Sequence, residues 1–80
     1  MAIWQMEVDS RDATKNRREL QRKGFVSANY YSSNGFDVNA IRALALAGKI
    51  DALRCVMGKS TRWYYFESQV ELARLRGEFH

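Results

Sequence analysis

Eighty residues, 46% hydrophobic and 12% aromatic, describe one small globular domain and exclude a disordered tail. A chain of this size buries only about 60% of the surface its unfolded form exposes, which leaves little material for an enclosed active site. Thirteen Lys and Arg against nine Asp and Glu give a net charge of +4, a balance suited to a polyanion because each neutralised phosphate releases condensed counterions.

In chain order, Trp4, Met6 and Val8 share one alternating face, so residues 1–8 predict a short strand or an extended arm. Residues 9–23 predict a helix. Asp9 can cap it, Asp12 sits in its first turn, and Gly24 ends it just after Arg22 and Lys23, where cations suit the C-terminal dipole. Its apolar content is little beyond Ala13 and Leu20, so it lies on the surface or becomes ordered only on binding.

Phe25 and Val26 lead into a second, short helix capped by Ser27, running through Tyr30 and Tyr31 to a turn at Asn34-Gly35. The two tyrosines cannot easily both be buried, which places one at a contact surface. Asp37 caps a third helix over residues 38–47, closed by Gly48. On a helical wheel Val38, Ala40, Ile41, Leu44 and Ala45 fall on one side, and Asn39, Arg42, Ala43 and Leu46 on the other.

After Gly48 the period changes. Residues 50–56 and 62–66 read as two strands around a hairpin loop, Met57-Gly58-Lys59-Ser60-Thr61. Ser68 with Glu71 is a capping box that opens a last helix through Leu72, Ala73 and Leu75 toward Gly77. The order of arm, three helices, hairpin and helix predicts a mostly α single domain with a β-hairpin, a winged helix-turn-helix. It spans residues 25–77, after an arm and basic helix (1–24) and before a tail (78–80).

Two helices around a Gly-containing turn, followed by a hairpin, are the parts of a DNA reader. A helix fits the major groove, where Asn makes bidentate contact with adenine and Arg with guanine. Asn39 and Arg42 on the third helix are the candidates, Arg42 being equally well a solubilising surface residue. Lys59, Ser60 and Thr61 at the hairpin tip, with Arg54 and Arg62 beside it, suit phosphate or minor-groove contact. Lys15, Arg17, Arg18, Arg22 and Lys23 on the first helix are a further basic cluster, diluted by Asp12 and Glu19.

The stretch Ala40-Ile41-Arg42 through Gly48-Lys49-Ile50-Asp51-Ala52 resembles the recognition helix and Gly-Lys-Ile-x-Ala exit of excisionase-like, MerR-type DNA-binding domains. The run Thr61-Arg62-Trp63-Tyr64-Tyr65-Phe66-Glu67-Ser68-Gln69-Val70 is similar to the return strand and following helix of phage excisionases. The resemblance implies specific binding of double-stranded DNA without catalysis, in directing a recombinase or regulating a promoter. It also implies that Trp63 and Tyr65 point into the core while Arg62 and Tyr64 point outward. Partners on this reading are duplex DNA, a recombinase or another protein, and further copies of the chain bound cooperatively on DNA.

An enzyme is not expected. His80, the one histidine, is terminal, and Cys55 has no histidine near it in sequence. No phosphate-cradling glycine loop or metal-ligand spacing is present, so no metal or cofactor is expected either. Asp51 and Glu67 are accounted for by strand and cap positions. The alternative reading is a protein-interaction adaptor of a phage or mobile element, with Leu46, a spare tyrosine and Trp4 as apolar anchors. RNA binding ranks behind both. A single cysteine, no apolar run of membrane-spanning length and no signal-peptide pattern make a cytoplasmic setting the default expectation.

Overall fold

Four strands, β1 (Ile3–Glu7), β2 (Phe25–Ser27), β3 (Ala52–Met57) and β4 (Ser60–Phe66), form one sheet in the computed structural model, which describes residues 3–78. The strand order is β1-β3-β4-β2. β1 runs parallel to β3, with Ile3 opposite Ala52 and Glu7 opposite Val56, and the other two pairings are antiparallel. Four α-helices surround the sheet: α1 (Ala13–Arg22), entered through a 3-10 turn at Ser10–Asp12, then α2 (Ala28–Ser33), α3 (Val38–Leu46) and α4 (Glu67–Leu75). His80 and the end of the expected tail lie outside the described residues.

Side chains alternate across a strand, so each strand feeds both faces. On one face Val26, Ala52 and Tyr65 meet Tyr31, Ile41, Ala45, Val70 and Ala73 from α2, α3 and α4. On the other, Leu53, Cys55 and Tyr64 meet Leu20 of α1, with Met6 and Phe25 packed alongside. The sheet is thus a middle layer between α1 and the other three helices.

This corrects the expected fold. The chain is not a mostly α winged helix-turn-helix with a lone hairpin, because two further strands widen the hairpin into a four-stranded mixed sheet. β3 and β4 offer free edges whose backbone groups need partners. Residues 3–7, which the alternation of Trp4 and Met6 marked as a short strand or arm, and residues 25–27, expected to lead into a helix, supply them. With both faces covered, Tyr64 is 2% exposed, where the resemblance implied an outward residue.

The local signals divide in the same way. Ser27 caps α2 by accepting from the Tyr30 N–H at 3.3 Å, and Asp37 caps α3 by accepting from the N–H groups of Asn39 and Ala40. The Asp9 carboxylate accepts from the Arg11 N–H at 2.9 Å and so serves the 3-10 turn rather than α1 itself. Phe25 and Val26, expected to introduce a helix, are strand residues. The Ser68–Glu71 capping box does not form. α4 begins at Glu67, whose N–H goes to the Gly24 carbonyl across the β2–β4 junction, and Glu71 turns instead to Arg74. The five-residue hairpin loop is in fact a two-residue turn at Gly58-Lys59, with Met57 opposite Ser60. Gly58 at φ +59° takes the first central position, as a type II′ turn requires.

Gln69 fastens α4 to the start of β3. Its side-chain oxygen accepts from the Asp51 N–H at 2.6 Å and its amide nitrogen donates to the Asp51 carboxylate at 3.1 Å. Among the described residues no helix is long and apolar enough to cross a membrane.

Cys55 is fully enclosed between β3 and α1, with the Asn16 amide 3.6 Å from its sulfur. Burial pushes its thiol up from the ordinary value, and the Asn16 contact opposes this in part. A thiol held neutral and covered reacts only when the layer above it opens. A disulfide-exchange reagent should therefore label the native chain far more slowly than the denatured one. Equal rates would mean that α1 does not cover this face.

Candidate nucleic-acid interface

On α1, Ala13, Asn16 and Leu20 turn toward the sheet, Leu20 being buried and the other two half-buried. At about 100° per residue, Arg17 and Gln21 then occupy one flank, Asp12, Glu19 and Lys23 the other, and Arg18 and Arg22 the outer crest between them. Lys15 lies between the crest and the acidic flank. Arg62 and Tyr64 emerge from β4 on this side of the sheet; burial raises the Tyr64 hydroxyl, and the charges of Arg62 and Arg17 oppose this in part. Arg18, Gln21 and Arg22 line a shallow depression between the first flank and the crest. The other flank carries acids: Glu7, Asp9, Asp12 and Glu19 line one depression with Lys15 and Asn16. Around α1 the charges thus divide, arginines toward one flank and crest and acids on the other flank.

The expected hairpin cluster is divided by register. Arg54 pairs with Trp63 and Cys55 with Arg62, so the two arginines emerge on opposite faces of the sheet. Arg62 and Ser60 join the α1 side, while Arg54 and Thr61 face the side covered by the other helices. Lys59 is exposed at the turn between them.

α3 differs from its expected role. Asn39 is exposed in the first turn, but Arg42 is half-buried and its guanidinium lies 5.4 Å from the Trp63 ring centroid. Arg54 approaches the same ring at 5.5 Å. The wheel placed Arg42 away from the core; its long stem instead folds back over the strand, as amphipathic side chains do over apolar surface. Lys49, just beyond α3, is paired with Glu78 at 3.5 Å. The outward face of α3 therefore presents Asn39, Ala43 and Leu46 without a cation.

Trp63 escaped the sequence reading as a site residue, as did the buried Tyr64. The signal was present: a two-residue turn at Gly58-Lys59 fixes Met57 opposite Ser60, and counting back sets Arg54 opposite Trp63. Tyr30 is the exposed tyrosine of its pair, 53% accessible against 3% for Tyr31.

A groove of about 410 Å³ lies on the α1 side where that helix leaves the sheet uncovered, with Trp4, Met6, Leu20, Phe25, Leu53 and Phe66 in its walls. Trp4 is half exposed there. Among the described residues no three His, Cys, Asp or Glu side chains gather as a metal-binding group. Comparison with known proteins finds no matching family model, no matching curated protein and no matching solved structure.

Proposed function

We propose that this chain binds double-stranded DNA through the phosphate backbone, using Arg17, Arg18, Arg22 and Arg62, with Lys59 at the turn extending the surface. The observation that carries the reading is the set of exposed arginines on the α1 side of the sheet, Arg17, Arg18 and Arg22 from the helix and Arg62 from β4, while Glu7, Asp9, Asp12 and Glu19 gather on the helix's other flank. Cations gathered on one side neutralise neighbouring phosphates together, and the acids are kept out of their reach. Base reading by α3 is not part of the proposal, because its one arginine is engaged with Trp63. The resemblance to phage excisionases supplies the setting: a cytoplasmic, non-enzymatic factor that directs a recombinase or regulates a promoter.

A titration of random duplex DNA at several salt concentrations tests it. Four or five phosphate contacts predict log affinity falling against log salt with a slope of about −4. The adaptor reading is favoured by one feature, the apolar groove beside Trp4. No duplex binding at low salt would give that reading precedence.

A further inference from the structure

On the face of the sheet away from the proposed duplex surface, two arginines share one indole. The Arg42 guanidinium, from α3, and that of Arg54, from β3, stand 5.4 and 5.5 Å from the Trp63 ring centroid. Trp63 is itself stacked on Tyr65, with ring centroids 6.1 Å apart and planes 18° from parallel. Tyr65 is fully buried, so the aromatic wall behind the arginines is fixed.

The charges on this wall have no anionic partner. Among the described residues neither arginine forms a salt bridge or a hydrogen bond, and the Nε of each is buried and unpartnered. Burial raises the Tyr65 hydroxyl and the nearby Arg42 opposes this in part, but no well-formed hydrogen bond closes between them. Glu7, opposite Val56 on this face, forms a salt bridge with neither arginine. Thr61, two residues before Trp63, adds an exposed hydroxyl on the same face.

Cation–π contact offsets part of the cost of setting two guanidinium groups against one ring, but supplies no acceptor for their buried Nε donors. Buried donors without acceptors are costly. A carboxylate has two oxygens and suits one guanidinium fork, whereas a tetrahedral phosphate can accept from two forks at once. We infer that Arg42, Arg54 and Trp63 form an oxyanion site for a phosphate group. This inference is independent of the duplex surface, which lies on the other face. The phosphate could belong to a nucleic-acid strand or to a free phosphate compound, and the shared chemistry is the same.

The chain has two tryptophans, so Trp4→Phe leaves Trp63 as the sole indole reporter. Emission of that variant is followed while inorganic phosphate is added, with sodium chloride of equal ionic strength as the parallel titration. A saturable response to phosphate that chloride does not reproduce is the expected result. Adding Arg42→Gln and Arg54→Gln should raise the midpoint at least tenfold with the circular dichroism spectrum unchanged. If that variant does not fold, Arg42→Lys with Arg54→Lys keeps the charge, loses the fork, and should still weaken the response severalfold. Matching responses to phosphate and chloride, or a phosphate response indifferent to the arginine changes, overturns the inference. A short duplex supplies the second arm. A Trp63 response to duplex at far lower concentration than to free phosphate identifies a nucleic-acid phosphate, and a response to free phosphate alone identifies a small ligand. Duplex binding with the full salt slope but with Trp63 silent in both arms sinks this site and leaves the proposed function standing.

Discussion

Replacing Arg17, Arg18, Arg22 and Arg62 together by Gln should lower duplex affinity by between three and four orders of magnitude at about 0.1 M salt. Each phosphate contact contributes about 0.9 to the slope of log affinity against log salt, so four lost contacts remove up to about 3.6 units. The same number sets the loss in affinity one decade of salt below the molar range, where the electrostatic contribution is small. The fold should tolerate the change. All four side chains are exposed, and Gln matches Arg in helix propensity to within a few tenths of a kcal/mol. The matched control is Lys15→Gln with Lys23→Gln, residues of the same helix that lie beside Glu19 in the acidic depression and the apolar groove respectively. That pair should cost less than tenfold. If the quadruple variant keeps the wild-type slope, the basic flank is a solvated face and no more. If the control falls as far as the quadruple variant, net charge alone governs binding and the geometry has no part in it.

Legibility in the sequence followed the range of the interaction. The caps at Ser27 and Asp37, the buried stripe of α3 and the breaks at Gly48 and Gly58 depend on residues within a few positions of one another, and they stand where the sequence puts them. The pairing of β1 with β3 joins Ile3 to Ala52, and no local pattern announces a partner so far along the chain. The same long-range pairing explains how α1, a surface helix as its sparse apolar content suggests, is held in place. Leu20 alone looked insufficient to bury a helix, but it needs only to close a pocket whose walls β1, β3 and β4 provide. For the candidate site, the cationic residues were visible and their grouping was not. Arg54 and Arg62 read as neighbours of one hairpin tip, and the pleat separates them onto two faces. Arg42 read as outward on its wheel, and the nearby indole drew it back. Charge in a sequence identifies candidates, and register decides which of them act together.

The layering has an alkaline consequence of comparable size. Burial raises the hydroxyls of Tyr31, Tyr64 and Tyr65 above the ordinary tyrosine value, and it raises the Cys55 thiol in the same way. Glu67 adds to the effect at Tyr31, while at Tyr65 the Arg42 charge opposes it. In the unfolded chain a cysteine ionises near pH 8.5 and a tyrosine near pH 10. The folded chain therefore holds these protons after the unfolded chain has released them. Stability is fully present below the unfolded values and is lost as pH rises toward and through the folded ones. Each such group contributes a slope of about 1.4 kcal/mol per pH unit, so three tyrosines together give about 4. Far-UV circular dichroism and tyrosinate absorbance, followed together from about pH 8 upward, should show a shallow decline from the thiol and then a steep joint transition. Cys55→Ala should remove the shallow phase. Tyr65→Phe should reduce the steep slope by about one proton's worth and cost little at neutral pH, because the hydroxyl it deletes has no hydrogen-bond partner. Tyrosinates that form with ordinary midpoints while the circular dichroism stays native would mean that solvent already reaches these hydroxyls. The closed layers on both faces of the sheet would then be refuted.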